Sequence, residues 1–298
     1  MLNLIRLGLV LPIHNRKNIT INSLNNIHSA IRYYERNGLK NLIIDIIVVD
    51  DGSIDGSGDW IKSNRPEVIL INGDGHQWWS GSINMGAKYA VRNLNCSHVL
   101  LWNDDTICKE DYFCQLELVV LSNAIYQTSI LVSKIFWLNE SNNLFNFGCL
   151  YSKMTGKKTL IGLNQKDIFK EIKKIDWSGG MGTLIPANIL EEVNYFDNIN
   201  FPQYHGDIDF FLRAKEKGHS AYSIPNLTIY NDKETTGMNV AKSMKDLKLM
   251  LFSNRSIYNF KQNFYFNRRH SNTLISWFNL FNEYILLILK SIRYLTKQ

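Results

Sequence analysis

Four short apolar segments, each running into polar or acidic residues, constrain this chain more than any other feature of its sequence. They are Leu4–Leu11, Leu42–Val49, Val68–Ile71 and His98–Leu101. Each has the length of a strand, and the stretches between them can hold helices, which predicts parallel strands joined by crossovers. Ligands of such open α/β sheets bind at the carboxyl ends of the strands. We therefore expect a doubly wound half-domain whose ligand edge carries these polar residues.

The helical segments and the later strands complete an α/β prediction. Leu24, Ile27, Ile31 and Tyr34 recur at the spacing of one helix face. A second helix is expected over Asn84–Leu94, between the third and fourth strands. Strands of a mixed sheet are predicted at Ser129–Trp137, Leu144–Tyr151, Ser220–Ile224 and Leu227–Tyr230. The expected fold class is therefore α/β with a mixed sheet.

An acidic pair, Asp104 and Asp105, directly follows the fourth strand. Adjacent carboxylates repel each other and are costly to bury unless a cation or hydrogen-bond donors compensate them. Hard oxygen ligands suit Mg²⁺ or Mn²⁺, and such a cation can hold a diphosphate. The alternative is that the pair caps a helix that starts near Lys109. The sequence leaves both interpretations open.

Three further clusters of polar residues or glycines are candidates for a site. Asp50–Ser53 follows the second strand, and Gly179, Gly180 and Gly182 lie close together later in the chain. Such glycines either allow backbone to approach a ligand or form a turn. His205–Asp209 precedes a helical pattern and carries two aspartates. One aspartate is explained by helix capping, but two beside a histidine are more than a cap needs.

Four motifs in register carry a family resemblance. Pro12–Arg16, Val48–Ser53, Asn103–Asp105 and Asp207–Arg213 occur in this order at the ends of successive elements. Together they resemble the family 2 glycosyltransferases, particularly bacterial rhamnosyltransferase-like members, over residues 4–240. The resemblance implies a GT-A fold, in which a Rossmann-like nucleotide-binding half continues into a mixed sheet. It also implies an inverting transfer of sugar from a UDP- or dTDP-sugar, assisted by Mg²⁺ or Mn²⁺.

The resemblance assigns the nucleotide sugar to residues of the first half. The base and ribose would be held by Pro12, Asn15, Arg16 and Asp51. The nucleotide and the donor sugar would lie along Trp79, Gly81 and Asn84.

The cation is assigned to the family's DxD motif, which matches Asn103–Asp105. Its first acidic position is Asn103 here, so Asp105 is the expected direct ligand, and Asp104 would face the ribose or the sugar. A histidine often follows the last strand in the family, whereas this chain has Asn231 and Asp232. The expected metal ligands are therefore Asp105, Asn103 and Asn231.

The base that activates the acceptor is assigned to Asp207. Family members usually have Glu before this aspartate, but Gly206 stands there, so the base is Asp207 or Asp209. The acceptor side would be formed by Trp177, Gly179, Gly180 and His205. The expected acceptor is a hydroxyl of a cell-surface polysaccharide or of a lipid-linked glycan.

Three other functions agree less well with the sequence than a glycosyltransferase does. A sugar-nucleotide pyrophosphorylase would need a glycine-rich basic loop after the first strand, and Pro12–Lys17 contains no glycine. A nucleic-acid-binding protein would interleave Lys and Arg with stacking aromatics across a sheet, so no nucleic acid is expected as a partner. An inactive sugar-binding relative would not need both Asp105 and Asp207.

The C-terminal region carries the basic charge of the chain. The formal net charge is +6, and residues 242–298 contain ten Lys/Arg and two acidic residues. Large apolar residues step by four and three at Leu274, Phe278, Phe281, Ile285, Ile288, Ile292 and Leu295. This pattern predicts an amphipathic helix that lies on an anionic membrane surface. Packing on the chain's own domain, or on a second copy as a homodimer, suits the same spacing.

Domain organisation and location follow from these patterns. We expect a GT-A domain over residues 1–265 and an amphipathic helical tail over residues 266–298. The four cysteines form no CxxC pair, and the first apolar run is too short for a signal peptide. The expected location is the cytoplasm, peripheral at the inner face of the cell membrane.

Overall fold

The predicted parallel strands form half of a mixed sheet in the computed structural model, which describes residues 4–232 and 243–295. The strands are β1 (Ile5–Ile13), β2 (Leu42–Asp50), β3 (Ile69–Asn72) and β4 (His98–Leu101). They pair in parallel in the order β3-β2-β1-β4. Their carboxyl ends therefore meet at one edge of the sheet, as a doubly wound fold requires.

The second half of the sheet mixes strand directions. Its strands are β5 (Thr106–Cys108), β6 (Ile130–Trp137), β7 (Glu140–Asn146), β8 (Cys149–Tyr151), β9 (Lys158–Leu160), β10 (Lys173–Ile175), β11 (Thr183–Pro186) and β12 (Ala221–Asn231). The order continues β4-β11-β6-β12-β10, and β11 is antiparallel to both of its neighbours. β5 pairs with β12, β7 pairs with β6, and β8 and β9 form a separate hairpin.

Helices cover both faces of the sheet. They are α1 (Lys17–Asn37), α2 (Ser57–Asn64), α3 (Trp78–Arg92), α4 (Tyr112–Ser122), α5 (Ala124–Gln127), α6 (Ala187–Glu192), α7 (Gly206–Glu216), α8 (Met244–Phe252), α9 (Phe260–His270) and α10 (Leu274–Leu295). Successive side chains of a strand point to opposite faces. Leu9 is buried with Leu24 of α1, whereas Val10 is buried with Ile83 of α3. The core is thus two apolar layers separated by the sheet.

Four sequence predictions differ from the structure in detail, and one of them, the strand Leu144–Tyr151, is divided between β7 and β8. α3 begins at Trp78 rather than Asn84, because Asp51 accepts backbone N–H groups in the loop before it. The predicted strands Ser220–Ile224 and Leu227–Tyr230 are one strand, β12, with a register shift at Pro225, which has no N–H to donate. Strand β5 intervenes before α4, so the acidic pair after β4 does not cap that helix.

The predicted C-terminal helix is present as α10. None of the helices within residues 4–232 and 243–295 is long and apolar enough to cross a membrane. The boundary predicted between residues 265 and 266 falls inside α9, and the division into domain and tail stays a prediction.

Candidate active site

Arg16 holds the acidic pair at the end of β4. Its Nη1 lies 2.8 Å from Asp104 Oδ1, and its Nη2 lies 3.2 Å from Asp105 Oδ2. Burial raises the pKa of Asp104 to about 7, with Arg16 acting against this effect and Asp105 adding to it. One guanidinium therefore compensates two carboxylates only in part. The prediction that Arg16 lies at the ligand edge agrees with this geometry.

Two buried side-chain oxygens, one on Asp105 and one on a strand that pairs with the next residue, lack a hydrogen-bond partner in the part of the chain that the structure describes. Asp105 Oδ1 and Asn231 Oδ1 are buried and have no hydrogen-bond partner among the described residues. Asn231 ends β12, where it pairs in register with Thr106, the residue after Asp105. A carboxylate and an amide oxygen are ligands of the type that Mg²⁺ and Mn²⁺ take. These two residues therefore fit a divalent cation.

Asn103, the third predicted metal ligand, has another partner. Its Oδ1 accepts a hydrogen bond from Trp79 Nε1 at 3.0 Å. This bond occupies one of the two lone pairs of the amide oxygen, so the predicted role of Asn103 as a metal ligand stays a prediction. Residues 4–232 and 243–295 contain no group of three His, Cys, Asp or Glu side chains that could hold a metal ion. A cation at Asp105 would therefore depend on amide oxygens, water and the ligand's own oxygens.

Asp51 organises the loops that follow β1 to β3. Its Oδ1 accepts the N–H of Gly75 at 2.9 Å and that of Gln77 at 3.2 Å, and its Oδ2 accepts the N–H of Trp78 at 2.9 Å. Its backbone carbonyl accepts a hydrogen bond from His14 Nδ1 at 2.6 Å. Asp51 thus fixes the shape of the predicted nucleotide-binding edge from within.

The loop after β1 is tied to the loop after β2. Asn15 has a φ of +52°, its N–H donates to Ser53 Oγ at 2.9 Å, and its Oδ1 accepts the N–H of Ile54 at 2.8 Å. Pro12 lies within β1 one residue before its end. The predicted donor-side residues of the first two loops therefore share one edge of the sheet.

Trp79 connects the acidic pair with the glycine-rich loop. Besides its bond to Asn103, its ring lies directly against Gly180, where a Cβ atom would come within 2.0 Å of Trp79 Cζ2. No side chain fits in that space, so the close approach explains the glycine. Trp79 also meets Phe196 edge to face with ring centroids 5.5 Å apart. The structure thus brings Trp79, Asn103 and Gly180 together.

Asp207 lies on the other side of this loop, in the first turn of α7. Its Oδ1 accepts the N–H of Ile208 at 2.7 Å. Its Oδ2 faces Gly179, at which a Cβ atom would be 3.8 Å away. Burial raises the pKa of Asp207 to about 6, although the Ile208 N–H and the charge of Lys158 oppose this effect. A carboxyl group with a pKa near neutrality can take up a proton during a reaction.

Asp209 is the alternative base, and both of its carboxylate oxygens are in contact with basic side chains of the protein. It is 0% exposed, and it contacts Arg213 Nε at 2.8 Å, Arg269 Nη1 at 2.8 Å and His270 Nε2 at 2.9 Å. Burial acts to raise the pKa of Asp209, but the bond from His270 and the two arginines bring it below its ordinary value. Asp209 therefore joins α7 to α9 and is not available as a base.

Lys158 and His205 adjoin Asp207. Lys158 Nζ lies 3.0 Å from His205 Nδ1 and 4.1 Å from the ring centroid of Phe266. Burial lowers the pKa of Lys158 to about 8, against the charges of Asp207 and Glu283. Burial and Lys158 also lower the pKa of His205 well below its ordinary value. His205, predicted on the acceptor side, is therefore a neutral partner of a lysine.

Three other predicted or neighbouring positions serve packing. Asn84 is buried, and its amide donates to Phe196 O at 2.8 Å and accepts the Phe196 N–H at 2.9 Å, so it is not available to a nucleotide. Gly81 lies inside α3 against the Gln77 side chain. A Cβ atom at Gly206 would come within 2.3 Å of Ser80 Oγ, which explains why no larger residue precedes Asp207.

Sequence reasoning did not identify several residues of the site. Lys158 belongs to no motif in the sequence, and Arg269 and His270, the partners of Asp209, lie in the basic C-terminal region without a pattern that links them to the site. Trp177, predicted on the acceptor side, donates from Nε1 to Leu150 O at 3.2 Å, which ties its loop to β8. Contacts between residues so far apart in the chain leave no local signal in one sequence.

These features define a class of protein: an α/β fold with an acidic pair at a strand end and a separate carboxyl group across a glycine-rich loop. The sequence model described as "Glycosyl transferase family 2" matches residues 9–157, half of the chain. The chain therefore belongs to the glycosyltransferases of family 2.

A curated relative and two solved structures agree with this assignment. The chain is 25% identical over 199 residues to the "low-salt glycan biosynthesis hexosyltransferase Agl10" of Haloferax volcanii, covering 63% of this chain and 60% of the relative. It thus spans three fifths of that protein.

The structural similarity extends over almost the whole chain. GalNAc-T7 with UDP, GalNAc and Mn²⁺ matches with a TM-score of 0.59 and 12% identity, over 99% of this chain and 56% of the other. The mannosyltransferase PcManGT of Pyrobaculum calidifontis, in complex with GDP-Man and Mn²⁺, matches with a TM-score of 0.52 and 12% identity, over 98% and 72%. The predicted GT-A fold is confirmed.

Proposed function

We propose that this chain is an inverting glycosyltransferase that moves a sugar from a UDP- or dTDP-sugar to a hydroxyl of a glycan. The observation that carries this proposal is the placement of Asp207, whose Oδ2 faces Gly179 while Gly180 packs on Trp79 and Trp79 bonds to Asn103. The carboxyl group and the acidic pair thus stand on two sides of one loop. A donor bound at the pair would present its sugar toward Asp207.

Asp207 acts on the acceptor hydroxyl, and the residues at the end of β4 act on the leaving group. The Asp207 carboxylate takes the proton of the acceptor hydroxyl while that oxygen forms its bond to the anomeric carbon. The bond from the anomeric carbon to the β-phosphate oxygen breaks in the same step, and the nucleoside diphosphate leaves. Attack opposite to the leaving group inverts the anomeric configuration, and no covalent nucleophile on the protein is needed.

The leaving diphosphate needs positive charge near the end of β4. Arg16 is already paired with Asp104 and Asp105, so this charge has to come from a bound cation. A divalent cation, Mg²⁺ or Mn²⁺, held by Asp105 and Asn231, would stabilise the charge that develops on the leaving group. The two unpartnered oxygens at Asp105 and Asn231 support this assignment.

We further propose that the acceptor is a cell-surface polysaccharide or a lipid-linked glycan, and that the protein acts at the inner face of the cell membrane. Support comes from the name of the similar hexosyltransferase, which refers to glycan biosynthesis. The basic C-terminal region, with ten Lys/Arg and two acidic residues over 242–298, also favours an anionic surface.

A donor screen tests the proposed activity. Purified protein is incubated with UDP-, dTDP- and GDP-sugars and Mn²⁺, and released nucleoside diphosphate is measured. We expect release from one UDP- or dTDP-sugar, and loss of release in Asp207→Asn. Formation of pyrophosphate from a nucleoside triphosphate and a sugar 1-phosphate would instead identify a pyrophosphorylase and refute the proposal, as would no release of nucleoside diphosphate from any donor. NMR of the sugar product must show the inverted anomeric configuration.

A further inference from the structure

Helix α10 packs on the protein through one face only. Ser276, Tyr284 and Ser291 are buried on that face. The Tyr284 hydroxyl donates to Tyr258 O at 2.9 Å, and its ring meets that of Phe260 edge to face with centroids 5.2 Å apart. Because a helix turns by about 100° per residue, residues spaced by seven or eight share a side. This packed face fixes which side of α10 points outward.

The outward side of α10 is apolar as well. Its large exposed side chains include Leu274 (90% exposed), Phe278 (70%), Phe281, Ile285 (56%), Leu289 and Ile292. At helical spacing these residues form a stripe along the whole helix, on the side away from Ser276, Leu287 and Ser291. A contiguous apolar stripe of this size on a protein surface marks an interaction site. We refer to these six residues as the outer stripe.

We propose that the outer stripe binds an anionic lipid bilayer, with α10 lying in the plane of the membrane interface. This inference names the surface through which the proposed membrane association occurs. It rests on the proposed function only for the identity of the acceptor. An interfacial helix places apolar residues into the lipid and basic residues toward the headgroups. Arg293 is exposed beside the stripe and meets this requirement, and Lys290 is exposed further round the helix.

The charge of the region favours lipid over a second copy of the chain. Residues 242–298 carry ten Lys/Arg and two acidic residues, whereas the rest of the chain is slightly acidic. Pairing of two copies through α10 would bring two net-positive C-terminal regions together, and like charges repel. Anionic headgroups would instead attract the same basic residues.

The position of α10 also suits a lipid-linked acceptor. Asn279 Nδ2 donates to Thr155 O at 3.0 Å, and Thr273 Oγ1 donates to Met154 O, both in the turn between β8 and β9. The strand β9 that follows this turn carries Lys158, whose charge acts on Asp207. A bilayer bound at the outer stripe would therefore lie beside the acceptor side of the site.

Liposome flotation of the full chain tests the proposal. The vesicles contain phosphatidylcholine either alone or with phosphatidylglycerol. We expect the wild type to float with the anionic vesicles and much less with the neutral ones. Phe278→Asp/Ile285→Asp should reduce flotation about tenfold or more, since charges on the stripe oppose insertion. The matched control is Ile168→Asp/Ile199→Asp, two exposed isoleucines outside α10 (73% and 87% exposed), which should float as the wild type does.

Three results would overturn the proposal. They are equal flotation of wild type and stripe variant, equal flotation with neutral and anionic vesicles, and a wild-type dimer in sedimentation velocity that the stripe variant converts to a monomer. Circular dichroism melts confirm that both double variants are folded. Hydrolysis of the nucleotide sugar is measured in parallel without vesicles, so that a wrong proposed activity is distinguished from a wrong membrane surface.

Discussion

Two acidic pairs of this protein, Asp104 with Asp105 and Asp207 with Asp209, differ in how the fold compensates them. At the end of β4, Arg16 spans Asp104 and Asp105 and leaves Asp105 Oδ1 without a partner. At the start of α7, Arg213, Arg269 and His270 all converge on Asp209, and none of the three is within ion-pair distance of Asp207. Each pair therefore has one carboxylate held firmly by the protein and one with an oxygen free for other chemistry.

The contacts of each carboxylate, rather than its position in the sequence, distinguish one with a structural role from one with a role in the reaction. Asp207 and Asp209 are two residues apart on one helix, yet the pKa of Asp207 is raised to about 6 and that of Asp209 is lowered. The same substitution at the two positions should therefore have opposite consequences.

The largest expected effect is that of Asp207→Asn on transfer. Removing the base should lower kcat about 10³-fold, within the range found for general bases, while UDP affinity stays within about threefold of wild type. Initial rates and calorimetric titration with UDP and Mn²⁺ measure the two quantities. Retained turnover would remove Asp207 from the mechanism.

The thermal stability of Asp207→Asn tests the same contrast between Asp207 and Asp209. Because the pKa of Asp207 rises from 3.8 to about 6 on folding, ionised Asp207 destabilises the fold. Its favourable contribution is complete below pH 3.8 and is lost as pH rises through about 6. Asp207→Asn should therefore melt at a higher temperature than wild type at pH 7.5, and a lower melting temperature would contradict the assignment.

Asp209→Asn should give the second largest effect, on folding. It leaves the buried side chains around Asp209 without their anion, which costs about 3 kcal/mol of the free energy of unfolding. Urea unfolding at pH 7 measures the loss. Since the pKa of Asp209 is lowered by folding, the wild type should lose this contribution as pH falls below 3.8, and the variant should not. A variant as stable as wild type would show that the cluster is not structural.

The sequence predicted the fold well because the fold depends on local patterns. Strand-length apolar runs gave β1, β2, β3 and β4 with ends within two residues of the structure, and heptad-like spacing gave α10. The start of α3 was placed too late because Trp78 is held by Asp51, a contact between distant residues. The sequence did not predict that β12 is one continuous strand, because it contains Pro225 and a proline usually ends a strand pattern.

The site was predictable in its acidic residues but not in their roles. Carboxylates at strand ends and helix starts are visible in a sequence, so Asp105 and Asp207 could be found. What separates Asp207 from Asp209 is contact with Arg269 and His270, some sixty residues further along the chain. The packing of Asn84 could not be predicted for the same reason, because its partner Phe196 is 112 residues further along the chain.

Asp105→Ala is expected to act on donor binding rather than on folding. With Mn²⁺ present, UDP should bind about 30-fold more weakly than to wild type, because a cation ligand is lost. With EDTA present, wild type and variant should bind UDP equally. Asp59→Ala, an exposed aspartate of α2, is the matched control and should behave as wild type. A difference that persists in EDTA would mean that Asp105 contacts the nucleotide directly.

Lys158→Met should produce the smallest effect, a shift in the pH profile. Asp207 faces Lys158 of β9, Cys149 of β8 and Asp209 of its own helix, and the positive charge of Lys158 keeps the pKa of Asp207 from rising further. Without that charge, the acid limb of kcat/KM should move to a pH above about 6, with a loss of about threefold at pH 6 and little change at pH 8.

Lys158→Arg separates charge from packing at this position. Arginine keeps the positive charge beside His205 and Phe266 but not the geometry of the ammonium group. If Lys158 acts on Asp207 through its charge, the acid limb of Lys158→Arg should stay near that of wild type even if kcat falls. If both variants lose activity equally at every pH, Lys158 only supports the hairpin of β8 and β9. In that case the pKa of Asp207 is set by burial alone, and the contrast with Asp209 depends on the arginines of α7 and α9.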